Sequence, residues 1–184
     1  MKQTSKSSKK RATKVTPKTP TIPLQLPYSI SSLSSYYEVK VDQEALDHYL
    51  MKYFECYPRR RKKPLEKPFP ISLNKWLVMN KDQRNELKQH YEDLMWTIVH
   101  RNGWETLNLD KCHVEVWYVF GDKRRSDLDN RILKAFYDGL TRAGFLKDDN
   151  RFVIPSTDYR SVYEKGVWAT VLRFYPIPEE VVIE

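Results

Sequence analysis

Apolar residues in the first part of the chain repeat with two different periods, which predict a strand and then helices. Tyr36–Val41 alternates between polar and apolar residues, as in a short strand. Across Gln43–Tyr57, apolar residues recur at the i, i+1, i+4, i+5 spacing of an amphipathic helix, which Pro58 ends. Asn80, with a glutamine three residues later, forms a capping-box pattern that predicts a helix over Lys81–Arg101.

The rest of the chain is typical of strands with one further helix. Pro68–Met79 indicates a strand entering a turn, and Ile132–Ala143 indicates a helix with a glycine cap. Lys111–Phe120 is nearly continuous in aromatic and β-branched residues, so we predict a central strand covered on both faces. Further strands are predicted at Phe152–Ile154 and within Asp158–Phe174, with a hairpin at the Lys-Gly pair in the second segment. This order predicts an α+β fold, a mixed β-sheet with helices packed on it.

Residues 1–35 are rich in Lys, Ser, Thr and Pro and differ from everything that follows. They carry seven of the eight net positive charges and no acid, so we expect a disordered basic tail. The tail is either a cationic arm with salt-dependent affinity for DNA or a solubilising leader. We divide the remainder into an N-terminal extension (36–67) and a main domain (68–184). The extension contains the five cations of Arg59–Lys63, which are either a solvated linker or a phosphate contact.

Composition excludes several classes of protein. Cys56 and Cys112 belong to no CxxC pair, so they provide neither a disulfide framework nor a cysteine zinc site. The four histidines are scattered and lack the spacing of a metal site. No apolar run approaches the ~18 residues of a membrane span, and the N-terminus lacks the apolar core of a signal peptide. We therefore expect a cytoplasmic protein without membrane association.

Two acidic segments lie at the ends of the helix predicted after the central strand. The first is RRSDLDN (124–130) and the second is KDD (147–149). Carboxylates this close repel one another without a cation, and Mg²⁺ binds carboxylate oxygens together with phosphate and water. In an extended segment Asp127 and Asp129 would face one ion while Leu128 faces the core. The alternative is that Asp129, or the asparagine after it, caps the helix.

Cations surround these acids, and this combination is what hydrolysis of a nucleic-acid backbone requires. The candidate phosphate contacts are Lys123, Arg124, Arg125, Asn130 and Arg131. The plain alternative for them is a charged surface loop. Lys134 either pairs with Asp138 one turn later or stabilises negative charge in a transition state.

The two segments resemble the core of the RusA family of Holliday junction resolvases, which bacteria and their prophages encode. RRSDLDN and KAFYDGLTRAGFLKDDN carry the resemblance, which extends from about Pro68 to Phe174 and includes SLNKW near its start. It implies a homodimer that uses Mg²⁺, with Mn²⁺ as a substitute, to cut paired strands of four-way DNA junctions. The family's catalytic and metal-binding residues match Asp127, Asp129, Asp149 and Lys134, with Asp148 as a further or alternate metal ligand.

The sequence departs from the family pattern at one point. Three residues, rather than the family's two, separate Asn130 from Lys134. One extra helical residue turns a side chain by roughly 100°. Lys134 therefore keeps the family role only if the insertion lies before the helix, and otherwise Arg131 is the nearest cation that could replace it.

We interpret the sequence as a Mg²⁺-dependent, structure-selective endodeoxyribonuclease acting on four-way junctions in DNA recombination and repair. The first alternative is a non-catalytic junction-binding or DNA-binding protein whose acids only cap helices. The second is a sugar- or nucleotidyltransferase that uses the DxD pair. A chain with only five glycines and no glycine-rich phosphate loop disfavours that second alternative.

Overall fold

The structure is a computed structural model that describes residues 35–178. The predicted disordered tail therefore lies outside the described residues, apart from its last residue. No helix in the described range has the length and apolar character needed to cross a bilayer. The elements in chain order are β1 (Tyr37–Val41), α1 (Gln43–Cys56), α2 (Leu73–Leu77), α3 (Lys81–Asn102), β2 (Cys112–Phe120), α4 (Lys134–Arg142), β3 (Ser156–Tyr163) and β4 (Ala169–Pro176).

The four strands form one mixed sheet in the order β1-β4-β2-β3, which confirms the predicted α+β fold. β2 is parallel to β3 and antiparallel to β4, so it is central, as predicted. The predicted hairpin between the last two strands is wrong, because β2 lies between them. Their connection instead crosses the end of β2, where the Glu164 N–H donates to the Phe120 carbonyl oxygen over 3.0 Å.

One face of the sheet carries the hydrophobic core. Side chains alternate across a strand, so Val116 and Tyr118 of β2 share this face with Leu172 of β4. The helices cover them with fully buried residues that include Leu46, Leu94, Met95, Phe136 and Leu140. Residues 36–67 supply β1 and α1 to this same core.

Two predicted strands are wrong, each for a local reason. Within Pro68–Met79 the prolines supply no N–H donors, and Ser72 instead caps the short helix α2 through its Oγ, 3.3 Å from the Lys75 nitrogen. Phe152–Ile154 forms a turn because the Asn150 side chain accepts the N–H groups that a strand would pair with a neighbour. The capping box of α3 is confirmed.

Candidate active site

Residues 121–133 form the loop that carries the first acidic segment from β2 to α4. The end of the loop pairs with the segment that precedes α2. The Ile132 N–H donates to the Ile71 carbonyl oxygen over 3.0 Å, and the Leu73 N–H donates to the Asn130 carbonyl oxygen over 3.2 Å. This pairing anchors the acidic segment at its C-terminal end, and it also delays the start of α4, which was predicted at Ile132.

Asp127 and Asp129 extend from this loop into solvent. Both are exposed, whereas Leu128 between them is partly buried and packs against the core. α4 begins at Lys134, its N-cap is Leu133, and no side chain caps it. The capping alternative for Asp129 and the asparagine after it is therefore wrong. Neither of the two carboxylates therefore stabilises the start of α4.

Lys134 joins the start of α4 to the second acidic segment. Its Nζ lies 2.7 Å from Oδ1 of Asp138 and also contacts Oδ2 of Asp149. The Lys134 side chain is 64% exposed, whereas that of Asp149 is only 21% exposed. Lys88 on α3 approaches Asp138 as well, over 3.0 Å. Lys134 therefore forms the ion pair with Asp138 that is expected one turn along a helix. It also contacts the second acidic segment.

The two carboxylates fix the charge of Lys134. Hydrogen bonds to Asp138 and then to Asp149 raise the pKa of Lys134 to about 12. A lysine is already positive at neutral pH, and these contacts stabilise that form further. A cation in the first turn of a helix opposes the helix dipole, and Asp138 and Asp149 offset that unfavourable placement. They also hold the ammonium at the surface, where a substrate can reach it.

Asp148 has a different environment from Asp149, although the two are adjacent. Oδ1 of Asp148 accepts a hydrogen bond from the Asp149 N–H over 2.7 Å, and Oδ2 accepts one from the Asn150 side chain over 2.6 Å. Both oxygens of Asp148 thus stabilise the turn after α4. Asp149 instead directs its carboxylate towards Lys134.

The donor set of the two acidic segments fits Mg²⁺, because carboxylate oxygens are the hard ligands that this ion binds. Asp127 and Asp129 are exposed to solvent, as a metal site open to a phosphate requires. In this conformation the carboxylates of Asp127, Asp129 and Asp149 are not all gathered within 4.8 Å of one another. The types of donor thus suit Mg²⁺, but the three carboxylates do not form a preassembled cluster in this conformation.

No family model matches this chain, but comparison with known proteins finds a relative. The relative is the crossover junction endodeoxyribonuclease RusA of Enterobacteria phage HK97. It is 32% identical over 87 residues, which cover 46% of this chain and 72% of the phage protein. The chain belongs to the RusA family. An alignment of this length supports the resemblance inferred from the two short acidic segments.

The insertion that distinguishes this RusA-family chain lies outside α4. The three residues between Asn130 and Lys134 precede the helix, and the first of them, Arg131, pairs with Ser72 as an isolated bridge. An insertion there does not rotate later residues about the helix axis. Lys134 lies in the first turn of α4 and contacts Asp149.

Three of the predicted phosphate contacts lie on an open groove of the RusA-family fold. Lys123, Arg124 and Arg125 are exposed and line this groove together with Tyr163. Lys123 Nζ lies 5.1 Å from the centre of the Tyr163 ring. The Arg124 side chain is 89% exposed and approaches Asp122 over 3.7 Å. These cations are therefore free to contact a polyanion.

Arg131 differs from those cations because its guanidinium is half-buried. It donates to Ser126 Oγ over 2.7 Å and lies 4.9 Å from the centre of the Phe69 ring and 5.6 Å from that of Phe120. Burial lowers the pKa of Arg131. Arg131 thus ties the acidic loop to the core, and Lys134 is the cation that contacts the second acidic segment.

We expect Arg131→Ala to destabilise the protein by about 1–3 kcal/mol. The substitution removes the hydrogen bond to Ser126 and the contact with the two aromatic rings. Thermal unfolding measures the effect, with Arg124→Ala as the matched control. The exposed Arg124 should change stability by less than about 0.5 kcal/mol. Equal melting temperatures for the two variants would contradict the anchoring role of Arg131.

A second group of cations lines a separate groove, which Ser72 and Arg131 also line. These are residues from the basic linker and its neighbours, Lys62, Lys63, Lys67 and Lys75. The groove has a volume of about 380 Å³. Lys67 Nζ lies 3.8 Å from the centre of the Trp168 ring. Cations thus line a groove at the bridge that holds the acidic loop, in addition to the groove of Lys123, Arg124 and Arg125.

Sequence reasoning missed one group of potential ligands. Among the described residues, His113, Glu115 and Asp158 place one ligand atom each within 4.8 Å of one another. Strand alternation could have placed His113 and Glu115 on one face. The sequence gives no signal that Asp158 lies on the adjacent strand, because that pairing depends on the sheet order.

Proposed function

We propose that this protein is a Mg²⁺-dependent endodeoxyribonuclease that resolves four-way DNA junctions in recombination and repair. The observation that carries the proposal is the exposed pair Asp127 and Asp129, which caps no helix and lies shortly before a lysine that contacts Asp149. The name of the phage relative, a crossover junction endodeoxyribonuclease, supports the same activity.

Asp127, Asp129 and Asp149 would hold the metal. When bound there, Mg²⁺ (or Mn²⁺ in its place) lowers the pKa of a coordinated water and neutralises the scissile phosphate. Asp148 is a weaker candidate, because both of its oxygens already stabilise the turn. Its role would be to keep Asp149 in position.

Lys134 would stabilise the negative charge that develops on the phosphate oxygens during in-line attack. Like any lysine it is positive across the neutral range, and its two carboxylate contacts raise its pKa further. Asp138 would act as a positioning residue, since it holds the Lys134 ammonium from the same helix while Asp149 serves as a ligand.

The cations of the two grooves would hold the DNA strands. Lys123, Arg124 and Arg125 would contact phosphates next to the scissile bond, and Asn130 would orient the loop through its backbone. The groove of Lys62, Lys63 and Lys67 would receive a second arm of the junction. Phosphate contacts position the substrate without reading its sequence, as selection by DNA shape requires.

A homodimer is the assembly that suits this substrate. A four-way junction has near two-fold symmetry, and its resolution needs two matched cuts. A dimer with C₂ symmetry supplies one site for each cut.

Cleavage assays with and without Mg²⁺ test the proposal against a non-catalytic junction-binding protein. The full-length chain is incubated with a synthetic four-way junction and, in parallel, with a linear duplex of the same arm sequence. We expect junction binding under both conditions and junction cleavage only with Mg²⁺. Binding without any cleavage in Mg²⁺ or Mn²⁺ would favour the non-catalytic alternative.

Deletion of residues 1–35 should weaken binding to all DNA and flatten its dependence on salt. The segment carries seven cations, and each phosphate neutralised contributes about 0.9 to the salt slope on duplex DNA. Because such contacts read no base edges, the preference for junctions over duplexes should stay the same. Binding isotherms across a salt series measure both quantities. An unchanged slope would identify the segment as a spectator in DNA binding.

A further inference from the structure

The sheet face opposite the core carries a cluster of metal-binding side chains that the proposed nuclease does not use. His113 and Glu115 lie two residues apart on β2, so both point to this face. Asp158 stands opposite Glu115 in the parallel register of β3. Because the hydrogen bonding of two adjacent strands sets these positions, the three side chains have a rigid support.

His113 is oriented as a metal ligand. Its ring is fully buried, and Nδ1 lies 2.7 Å from the Ser156 hydroxyl. Nε2 is buried without a hydrogen-bond partner among the described residues. It lies 3.8 Å from Oδ2 of Asp158, which is too far for a hydrogen bond. A buried nitrogen in this state is unfavourable unless something else binds it, and a ligating histidine commonly has its other ring nitrogen held in this way.

The spacing of the cluster suits a transition-metal ion. Zn²⁺ binds histidine nitrogen and carboxylate oxygen at about 2.0–2.2 Å, so two ligands of a tetrahedral ion are about 3.4 Å apart. The 3.8 Å between His113 and Asp158 needs only a few tenths of an ångström of closure. The nitrogen ligand favours Zn²⁺ over Mg²⁺, which prefers an all-oxygen shell.

The charges around the cluster also favour a cation. Glu115 and Asp158 are directly opposed carboxylates, and Arg160 pairs with Oε1 of Glu115 over 3.0 Å. Glu115, Asp158 and Arg160 together therefore carry one net negative charge. The Tyr175 hydroxyl donates to Oε2 of Glu115 over 3.0 Å and so fixes the orientation of this carboxylate.

We propose that His113, Glu115 and Asp158 bind a divalent transition-metal ion of the zinc class, at a site separate from the nuclease centre. Three protein ligands leave a fourth position for water. The ion links the central strand β2 to β3, which is at the edge of the sheet. Its effect is to stabilise that edge.

Calorimetric titration of the full-length chain with Zn²⁺, in excess Mg²⁺, tests the site. The wild type should bind one Zn²⁺ per chain at this site. Asp158→Asn, which keeps the shape of a side chain that is 46% exposed, should weaken binding at least tenfold. His113→Ala should abolish it. The matched control His100→Ala should bind as the wild type does, and so should Asp127→Asn, which alters the nuclease centre.

Thermal unfolding gives a second measurement that does not depend on DNA cleavage. Zn²⁺ at a hundredfold excess over its Kd should raise the melting temperature by about 5 °C or more in the wild type. The shift should fall to about half or less in Asp158→Asn, which keeps the test valid even if His113→Ala fails to fold. The proposal is overturned if the wild type binds no Zn²⁺, or if Asp158→Asn binds and responds as the wild type does.

Discussion

Asp127→Asn should abolish junction cleavage and leave junction binding intact or tighter. The substitution keeps the size of the side chain but removes one negative charge from the proposed metal site and from its repulsion of the phosphate. Asp129→Asn and Asp149→Asn should behave in the same way. Single-turnover cleavage at saturating Mg²⁺ measures the rate, and a gel-shift assay without metal measures binding.

Asp148→Asn is the matched control for this series, because it makes the same chemical change beside Asp149. Both Asp148 oxygens accept hydrogen bonds within the turn, so we expect a smaller loss of rate than at Asp149. If Asp127→Asn retained more than about a tenth of the wild-type rate, its assignment as a metal ligand would be wrong. An equal loss at Asp148 and Asp149 would instead show that the turn as a whole is required.

Lys134→Ala should lower the cleavage rate about a hundredfold with little effect on binding. This magnitude is typical of removing one donor that stabilises transition-state charge. The substitution also leaves Asp149 and Asp138 without their shared cation, so metal binding must be checked at several Mg²⁺ concentrations. A rate defect that persists at saturating Mg²⁺ would identify Lys134 as acting on the substrate.

The Arg131→Ala variant distinguishes the role of Arg131 from that of Lys134. Its guanidinium bonds to Ser126 and lies against aromatic rings, so its loss should act mainly on stability. A large rate defect in Arg131→Ala at a temperature where it is fully folded, together with none in Lys134→Ala, would reverse the assignment. The family role would then belong to Arg131.

Local sequence signals predicted much of the fold. The capping box at Asn80 gave the start of α3, because two reciprocal hydrogen bonds there depend only on neighbouring residues. The aromatic and β-branched run after Lys111 gave the central strand. The order of the strands was not predictable in this way, because the pairing of β2 with both β3 and β4 depends on contacts between distant residues.

The sequence also predicted only part of the candidate site. The DxD spacing predicted that Leu128 faces the core, and the structure shows it partly buried against the core between two exposed acids. The start of α4 was misplaced, because the pairing of the Ile132 N–H with Ile71 competes with the helix and joins segments far apart in sequence. The contact of Lys134 with Asp149 depends on the turn after α4. The sequence predicted the position of this turn but not where the turn places the Asp149 side chain.

The most direct test of the central proposal is to map the cuts on a four-way junction with each of its four strands labelled in turn. In Mg²⁺, the wild type should cut two strands of like polarity at symmetric positions, giving two nicked duplexes. A linear duplex of the same sequence should remain intact, and Asp127→Asn should cut neither substrate. Equal cutting of the linear duplex, or no cutting of any junction strand, would contradict a junction-resolving nuclease.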